Sequence, residues 1–328
     1  MARSDEVRLV ADIGGTNARF ALVASGTLTP QLEQTVRCAD FDSLEGAVRA
    51  YLRGCGDPVV REAAFDVATG ITGDYVHLTN GPWGFSVEQT RRALGLSRLT
   101  VINDFTALAL SVPALRPEEK RKIGGGAAVA DTAIAVIGPG TGLGVSGLVP
   151  VAGGWAVLQG EGGHVSYSPG TPRELDVLRW LLGRFDHVST ERVVSGMGLQ
   201  NLYQAICALD DVEAKPLAPD AITAAALAGD HPQCREALDL FCAVLGGAAA
   251  NLVLTLGARG GCYIGGGIVP RLGAYFDRSP FRARFEHKGR FSNYVAAVPT
   301  YVIDAVNPAL RGLATLFSGA GGADAHAV

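Results

Sequence analysis

Positive charge is not in surplus in this chain. Its 28 Lys and Arg stand against 32 Asp and Glu, a formal net charge of −4, and without a broad basic field a protein whose main task is to grip nucleic acid is disfavoured. Long hydrophobic runs are scarce too: Gly, Pro or a charged residue interrupts each candidate before the roughly 18 apolar residues that a bilayer span needs. No membrane helix is therefore expected. The opening residues Met1 to Arg8 are polar and charged, which is not the pattern of a secretory signal. Cysteine is sparse, six residues at 38, 55, 207, 234, 242 and 262 with no Cys-x-x-Cys pair. Reduced thiols in a cytoplasmic protein are expected, and none is assigned chemistry. Two phosphate-handling signatures are also missing, the Gly-x-x-x-x-Gly-Lys-[Ser/Thr] loop and the His-Arg-Asp catalytic loop. Any nucleotide chemistry must use another fold.

What the chain does have is length and apolar side chain. Hydrophobic residues make up 48 % and charged residues 18 % of 328 positions, enough for a substantial core and for two units of roughly 150 residues each. Strand-like runs at 7–13, 19–24, 32–37, 62–68 and 99–102 are interleaved with helical patterns at 43–53 and 87–94, the mixed order of an α/β unit. The polar, basic stretch from Arg116 to Lys122, followed by Gly124 to Gly126, reads as a crossing between units. Beyond it, strands are predicted at 132–137, 143–149, 155–158, 262–264 and 301–303. Helices are predicted at 172–185, 198–209, 221–228, 232–256 and 308–318, the last with Pro near its first turn. Residues 319–328 read as a loose tail. The predicted organisation is a small lobe, residues 1–114, completed by the C-terminal helix at about 302–320, and a large lobe, residues 115–301.

Three strand ends carry glycine turns. In DIGGTNARF at 12–20, Asp12 lies at the end of a strand and is followed by Gly14, Gly15 and the hydroxyl of Thr16. Glycine lets the backbone approach an anion with its N–H groups inward, the hydroxyl adds a donor, and Asp12 can face the magnesium that accompanies ATP. Taken alone, the same residues also describe an ordinary hairpin turn. GPGTGLG at 138–144 again places a hydroxyl, Thr141, between glycines, and Gly265, Gly266 and Gly267 follow the strand at 262–264. The units at residues 14 and 140 resemble each other, as expected if each lobe has its own copy of one nucleotide-handling fold. A formal dinucleotide fingerprint, Gly142-x-Gly144-x-x-Gly147, is discounted because Leu148 to Val151 continues as strand where a helix should open. On this reading Ala11, Asp12, Ile13, Gly14, Gly15, Thr16, Gly142, Gly265, Gly266 and Gly267 meet ATP, Asp12 also its magnesium, while Gly140 and Thr141 face the substrate.

Six blocks, DIGGTNARF, NDFTALA at 103–109, GPGTGLG, EGGHVSYSP at 161–169, ERVVSGMGL at 191–199 and GGGIVPRL at 265–272, resemble the bacterial glucokinase family in order and over nearly the whole chain. The resemblance implies an α/β, two-lobed actin-like ATPase (ribonuclease H-like) fold, each lobe a mixed sheet flanked by helices, with ATP and sugar between the lobes. It implies Asp104 as catalytic base and Asn103, Glu161, His164 and Glu191 as binders of sugar hydroxyls. Side-chain chemistry agrees: carboxylates accept hydrogen bonds from hydroxyls, Asn and His give and take, and one Asp suffices as proton acceptor in phosphoryl transfer. Local readings stand beside these. Asn103-Asp104 also reads as a helix cap before Phe105, Glu161 and His164 as turn residues around Gly162-Gly163, and Glu191 as an acid in a helix's first turn.

The implied activity is transfer of the γ-phosphoryl of ATP, with Mg2+, to the 6-hydroxyl of glucose by a cytoplasmic homodimer that has no nucleic-acid or membrane partner. The alternatives are a kinase of another hexose (mannose, fructose or an N-acetylated sugar) and a non-catalytic sugar-sensing regulator. The regulator would need a DNA-binding domain, usually ahead of the fold, and only six residues precede Val7. In the related repressor and kinase family a cysteine-rich zinc loop follows the histidine of the sugar motif. Val165 to Pro169 contains no Cys, so no structural zinc is expected. Glucose is expected to close the two lobes.

Overall fold

The computed structural model describes residues 7–78 and 81–317. The tail predicted at 319–328, residue 318 of the last predicted helix and residues 1–6 of the polar opening lie outside them. The chain divides into two units, one of residues 1–115, 148–159 and 305–328, the other of residues 116–147 and 160–304.

The first unit contains β1 (Val7–Ile13), β2 (Asn17–Ala24), β3 (Gln31–Arg37), α1 (Leu44–Gly54), β4 (Val60–Val67), the small hairpin β5 (Tyr75–His77) and β6 (Gly84–Ser86), α2 (Val87–Ala93), β7 (Arg98–Asn103) and α3 (Asp104–Ser111). Five strands form a mixed sheet in the order β3-β2-β1-β4-β7. β1 is antiparallel to β2 and parallel to β4, which is parallel to β7. Successive side chains of a strand point to opposite faces, and here both faces of β1 are covered. Leu9, Ala11 and Ile13 pack with Leu44, Val48 and Tyr51 of α1, while Val10 packs with Ala107 of α3 and with Leu310 and Leu313 near the C-terminus. Double burial is why the strand reads as an unbroken apolar run.

The second unit contains β8 (Lys120–Gly124), β9 (Ile134–Pro139), parts of β10 (Leu143–Val151) and β11 (Gly154–Gly160), α4 (Pro172–Leu182), α5 (Gly196–Leu209), α6 (Pro219–Ala228), α7 (Pro232–Leu256), β12 (Cys262–Ile264), the short helices α8 (Val269–Leu272), α9 (Ala274–Arg278), α10 (Phe281–Glu286) and α11 (Ser292–Ala296), and β13 (Thr300–Ile303). Helix α12 (Pro308–Thr315) returns to the first unit. The second sheet runs β11-β10-β9-β12-β13-β8. Apart from edge strand β8 this is the strand order of the first sheet, so the turns at Gly14 and Gly140 occupy the same point, between the first and second strands of each pattern.

Two expectations are corrected. Lys120 to Gly124, read as part of a polar crossing, is a strand antiparallel to β13; as an edge strand it carries the charged residues that suit an unpaired side. The expectation that no segment is long and apolar enough to span a bilayer also fails, because α7 has 25 residues and meets that test by length and composition. Gly246 and Gly247 do not interrupt it. Leu238, Phe241, Leu245 and Val253 are fully buried, and α7 packs against α5, α6 and α10, which is the setting of a core helix.

Candidate functional site

In the first unit the β1–β2 turn is closed by Gly14 N donating to Asn17 O at 3.0 Å. The antiparallel register puts Asp12 opposite Arg19, and the two form an ion pair at 2.9 Å with 32 % and 29 % of their side chains exposed. Ala11 and Ile13 are fully buried. Gly14 and Gly15 are partly exposed and Thr16 is exposed.

The parallel register sets Asp12 beside Asp66 and Val67 beside Asn103. Asn103 caps α3: its Oδ1 accepts from Phe105 N at 2.8 Å and Thr106 N at 3.4 Å, and its Nδ2 donates to Thr69 O at 3.4 Å. The capping role is thus realised, whatever else the residue does. Asp104 is the first residue of α3, with Oδ1 accepting from Phe105 N at 2.8 Å, and the positive end of the helix favours a carboxylate there.

Asp66 is a residue that the sequence reading passed over. It is completely buried, and among the described residues no donor reaches either of its oxygens. Burial pushes its carboxyl well above the usual range, and the negative charges of Asp12 and Asp104 add to the effect while Arg19 opposes it. Its strand neighbour Asp12 is itself an acceptor, so a proton on Asp66 would supply the donor that the pair lacks. The one sequence signal was an acid inside the otherwise apolar run Ala63–Val67.

In the second unit, Gly140 N donates to Gly142 O at 2.8 Å and Gly196 N to Gly140 O at 2.9 Å, while Thr141 is exposed. Leu143 N donates to Glu191 Oε2 at 2.8 Å. A Cβ on residue 142 would strike that carboxylate, so glycine is what admits Glu191 to the turn. Glu191 lies in a single 3-10 turn, Thr190–Arg192, behind the cap residue Ser189, and not in the first turn of an α-helix. Thr190 bonds to Val165 O through N at 2.8 Å and through Oγ1 at 3.2 Å. This ties the Glu191 turn to the one formed by Glu161 to His164, where His164 N donates to Glu161 O at 3.0 Å. His164 and Glu191 line one cavity of about 420 Å³ together with Arg184 and Arg192.

The third glycine turn packs on the second. Gly265 N donates to Ile137 O at 2.9 Å and Ile268 N to Pro139 O at 3.3 Å. Gly266 has φ +78° and would drive a Cβ into the Pro139 carbonyl, a conformation and an approach that only glycine supplies. Gly267 is exposed beside it.

Among the described residues, no group of three or more His, Cys, Asp or Glu side chains is placed to hold a metal ion. A cation at Asp12 would draw the rest of its shell from phosphate and water, as magnesium does. All six cysteines are unpaired.

Comparison with known proteins bears on the whole chain. A family model described as Glucokinase matches residues 9–320. The chain is 54 % identical over 308 residues to a glucokinase of Chromobacterium violaceum, a match covering 94 % of this chain and 88 % of that protein. The crystal structure of a glucokinase from an Antarctic psychrotroph matches with a TM-score of 0.87 at 40 % identity, covering 95 % of this chain and 99 % of that one. A ROK family glucokinase from Streptomyces griseus, in complex with glucose and AMPPNP, matches with a TM-score of 0.62 at 19 % identity over 94 % of this chain and 98 % of that one, a likeness of fold alone.

Proposed function

The chain belongs to the glucokinase family and is an ATP-dependent glucose phosphotransferase; from that premise we propose that Asp104 takes the proton from the attacking 6-hydroxyl while Asn103, Glu161, His164 and Glu191 hold other hydroxyls of the sugar. Phosphoryl transfer asks a protein for alignment and charge stabilisation more than for covalent chemistry. A single oriented carboxylate is enough to receive the hydroxyl proton. The observation that carries the reading is the setting of Asp104, oriented by Phe105 N at the start of α3 and next to the helix cap Asn103. Glu191 is fixed in the same manner by Leu143 N, and a site with pre-oriented acceptors discriminates among hydroxyl patterns.

The backbone of Ala11, Ile13, Gly14 and Gly15, the Thr16 hydroxyl, and the turns at Gly142 and Gly265 to Gly267 are assigned to ATP, with Gly140 and Thr141 turned to the sugar. Asp12 is assigned to the magnesium of ATP, which when bound offsets phosphate charge. The first unit would serve as small lobe and the second as large lobe. A cytoplasmic setting agrees with six unpaired thiols, and the family likeness adds a homodimer.

The test is Asp104→Asn, which keeps the side chain's size and removes its ability to accept the proton. Turnover in a coupled ADP-release assay should fall by about a hundredfold or more, with glucose binding still measurable by calorimetry. Near-normal turnover would remove Asp104 from the role.

A further inference from the structure

The second unit holds another cavity, of about 380 Å³, whose lining includes none of Glu161, His164 and Glu191. Its volume is in the range of small-molecule sites. One wall is apolar: Leu143 and Val145 of β10 face Val244, Ala248 and Leu252 of α7, three residues spaced by four along a single helical stripe. The lining also carries two cations, Arg284 and Lys288, the neighbouring His287 and, among the described residues, one acid, Glu174.

That acid is already committed. Glu174 pairs with Arg284 and accepts from Gly170 N at 2.8 Å and Tyr167 Oη at 3.1 Å. Among the described residues Lys288 has no carboxylate partner. Its Nζ donates to Gly247 O at 3.1 Å and to Asn251 Oδ1 at 2.6 Å, both neutral acceptors, which leaves one of three ammonium hydrogens. Burial pulls its pKa below the ordinary lysine value, and the charge of Arg284 adds to that. A half-buried cation without a counter-charge is an unfavourable arrangement, and an incoming anion relieves it.

We propose that this cavity binds a small amphipathic monocarboxylate, its head on Lys288 Nζ and its apolar body along the α7 stripe. One unmatched positive charge selects one negative charge, and the apolar wall selects a hydrocarbon body over a fully hydrated ion. Gly162, Val165 and Thr190 also line the cavity, and Thr190 and Val165 are bonded to each other between the Glu161–His164 turn and Glu191. Occupancy therefore couples to glucose affinity, and coupling of this kind is reciprocal. The coupling rests on the sugar reading given above; the binding itself does not.

Calorimetry on the full chain with octanoate, 1-octanol and inorganic phosphate as probes tests both. Octanoate should bind with a Kd on the order of 0.1–1 mM, at least about tenfold tighter than 1-octanol, and phosphate should give no heat. Lys288→Met keeps the stem and removes the charge, so its octanoate affinity should drop to that of 1-octanol. Ala248→Leu fills the cavity and should abolish both. Saturating octanoate should shift the glucose KM of the wild type by about twofold or more and leave that of Lys288→Met unchanged, with the variant's turnover in the absence of octanoate equal to wild type. No octanoate binding by the wild type, or undiminished binding by Lys288→Met, overturns the site. Binding without a KM shift, in a protein whose Glu191→Gln variant does show a raised KM, overturns the coupling. If Glu191→Gln leaves KM unchanged as well, the sugar reading has failed and the carboxylate site stands.

Discussion

Asp66 sits where a carboxylate is hardest to keep charged, sealed from water and beside the carboxylates of Asp12 and Asp104. Its native pKa lies above the ordinary value near 4, so between those two values the folded protein binds a proton that the unfolded chain has released. Stability must then fall as pH rises through that window, and the penalty is absent below it. Asp66→Asn replaces the titrating group with an amide of the same size that donates to Asp12 at any pH. In magnesium-free buffer, urea denaturation should find the variant more stable than wild type by about 1 kcal/mol or more at pH 8, with the gap closing towards pH 4. An equal gap at both values would mean that Asp66 does not change protonation on folding.

Helix α3 joins an observed role in the fold to a proposed role in the site. Asn103 caps it and is also assigned to the sugar, and Asn103→Ser separates the two tasks. Serine caps about as well as asparagine, so urea stability should change by only a few tenths of a kcal/mol. The shorter side chain should cost glucose contact and raise KM several-fold; an unchanged KM would leave Asn103 as a cap only. Helix α7 belongs to the core by the same kind of test: Phe241→Ala should cost about 3–5 kcal/mol in urea denaturation, whereas a smaller loss would mean that its surroundings collapse into the space. Elements buried on two faces or bounded by sharp signals are legible in the sequence, as β1 and α7 are. Strand β8 is not, because an edge strand with Lys120, Arg121 and Lys122 loses its apolar alternation. Helices α8 to α11 span four to six residues, too few to display a 3.6-residue period. The glycine turns and the acids near them were visible as motifs. The bond from Leu143 to Glu191, 48 residues apart, and the burial of Asp66 arise only from tertiary packing.

The residues proposed for one reaction come from separate stretches of the chain: Asn103 and Asp104 from the end of β7 and the start of α3, Glu161, His164 and Glu191 from turns between β11 and α5. A sugar held by both sets of residues, as proposed, restrains both. At a hundred times its Kd, glucose stabilises whatever it binds by about 2.7 kcal/mol, and local opening that breaks its contacts is suppressed accordingly. Hydrogen exchange followed by mass spectrometry should therefore slow in peptides covering 103–106, where the amides of Phe105 and Thr106 bond to Asn103. It should slow equally in peptides covering 143 and 190–192, where Leu143 N bonds to Glu191. Asp104→Asn should keep both effects, since it removes a proton acceptor and not a bound sugar. Protection confined to the first unit would strip Glu161, His164 and Glu191 of their assignment. Protection confined to the second would leave Asp104 without a hydroxyl to deprotonate.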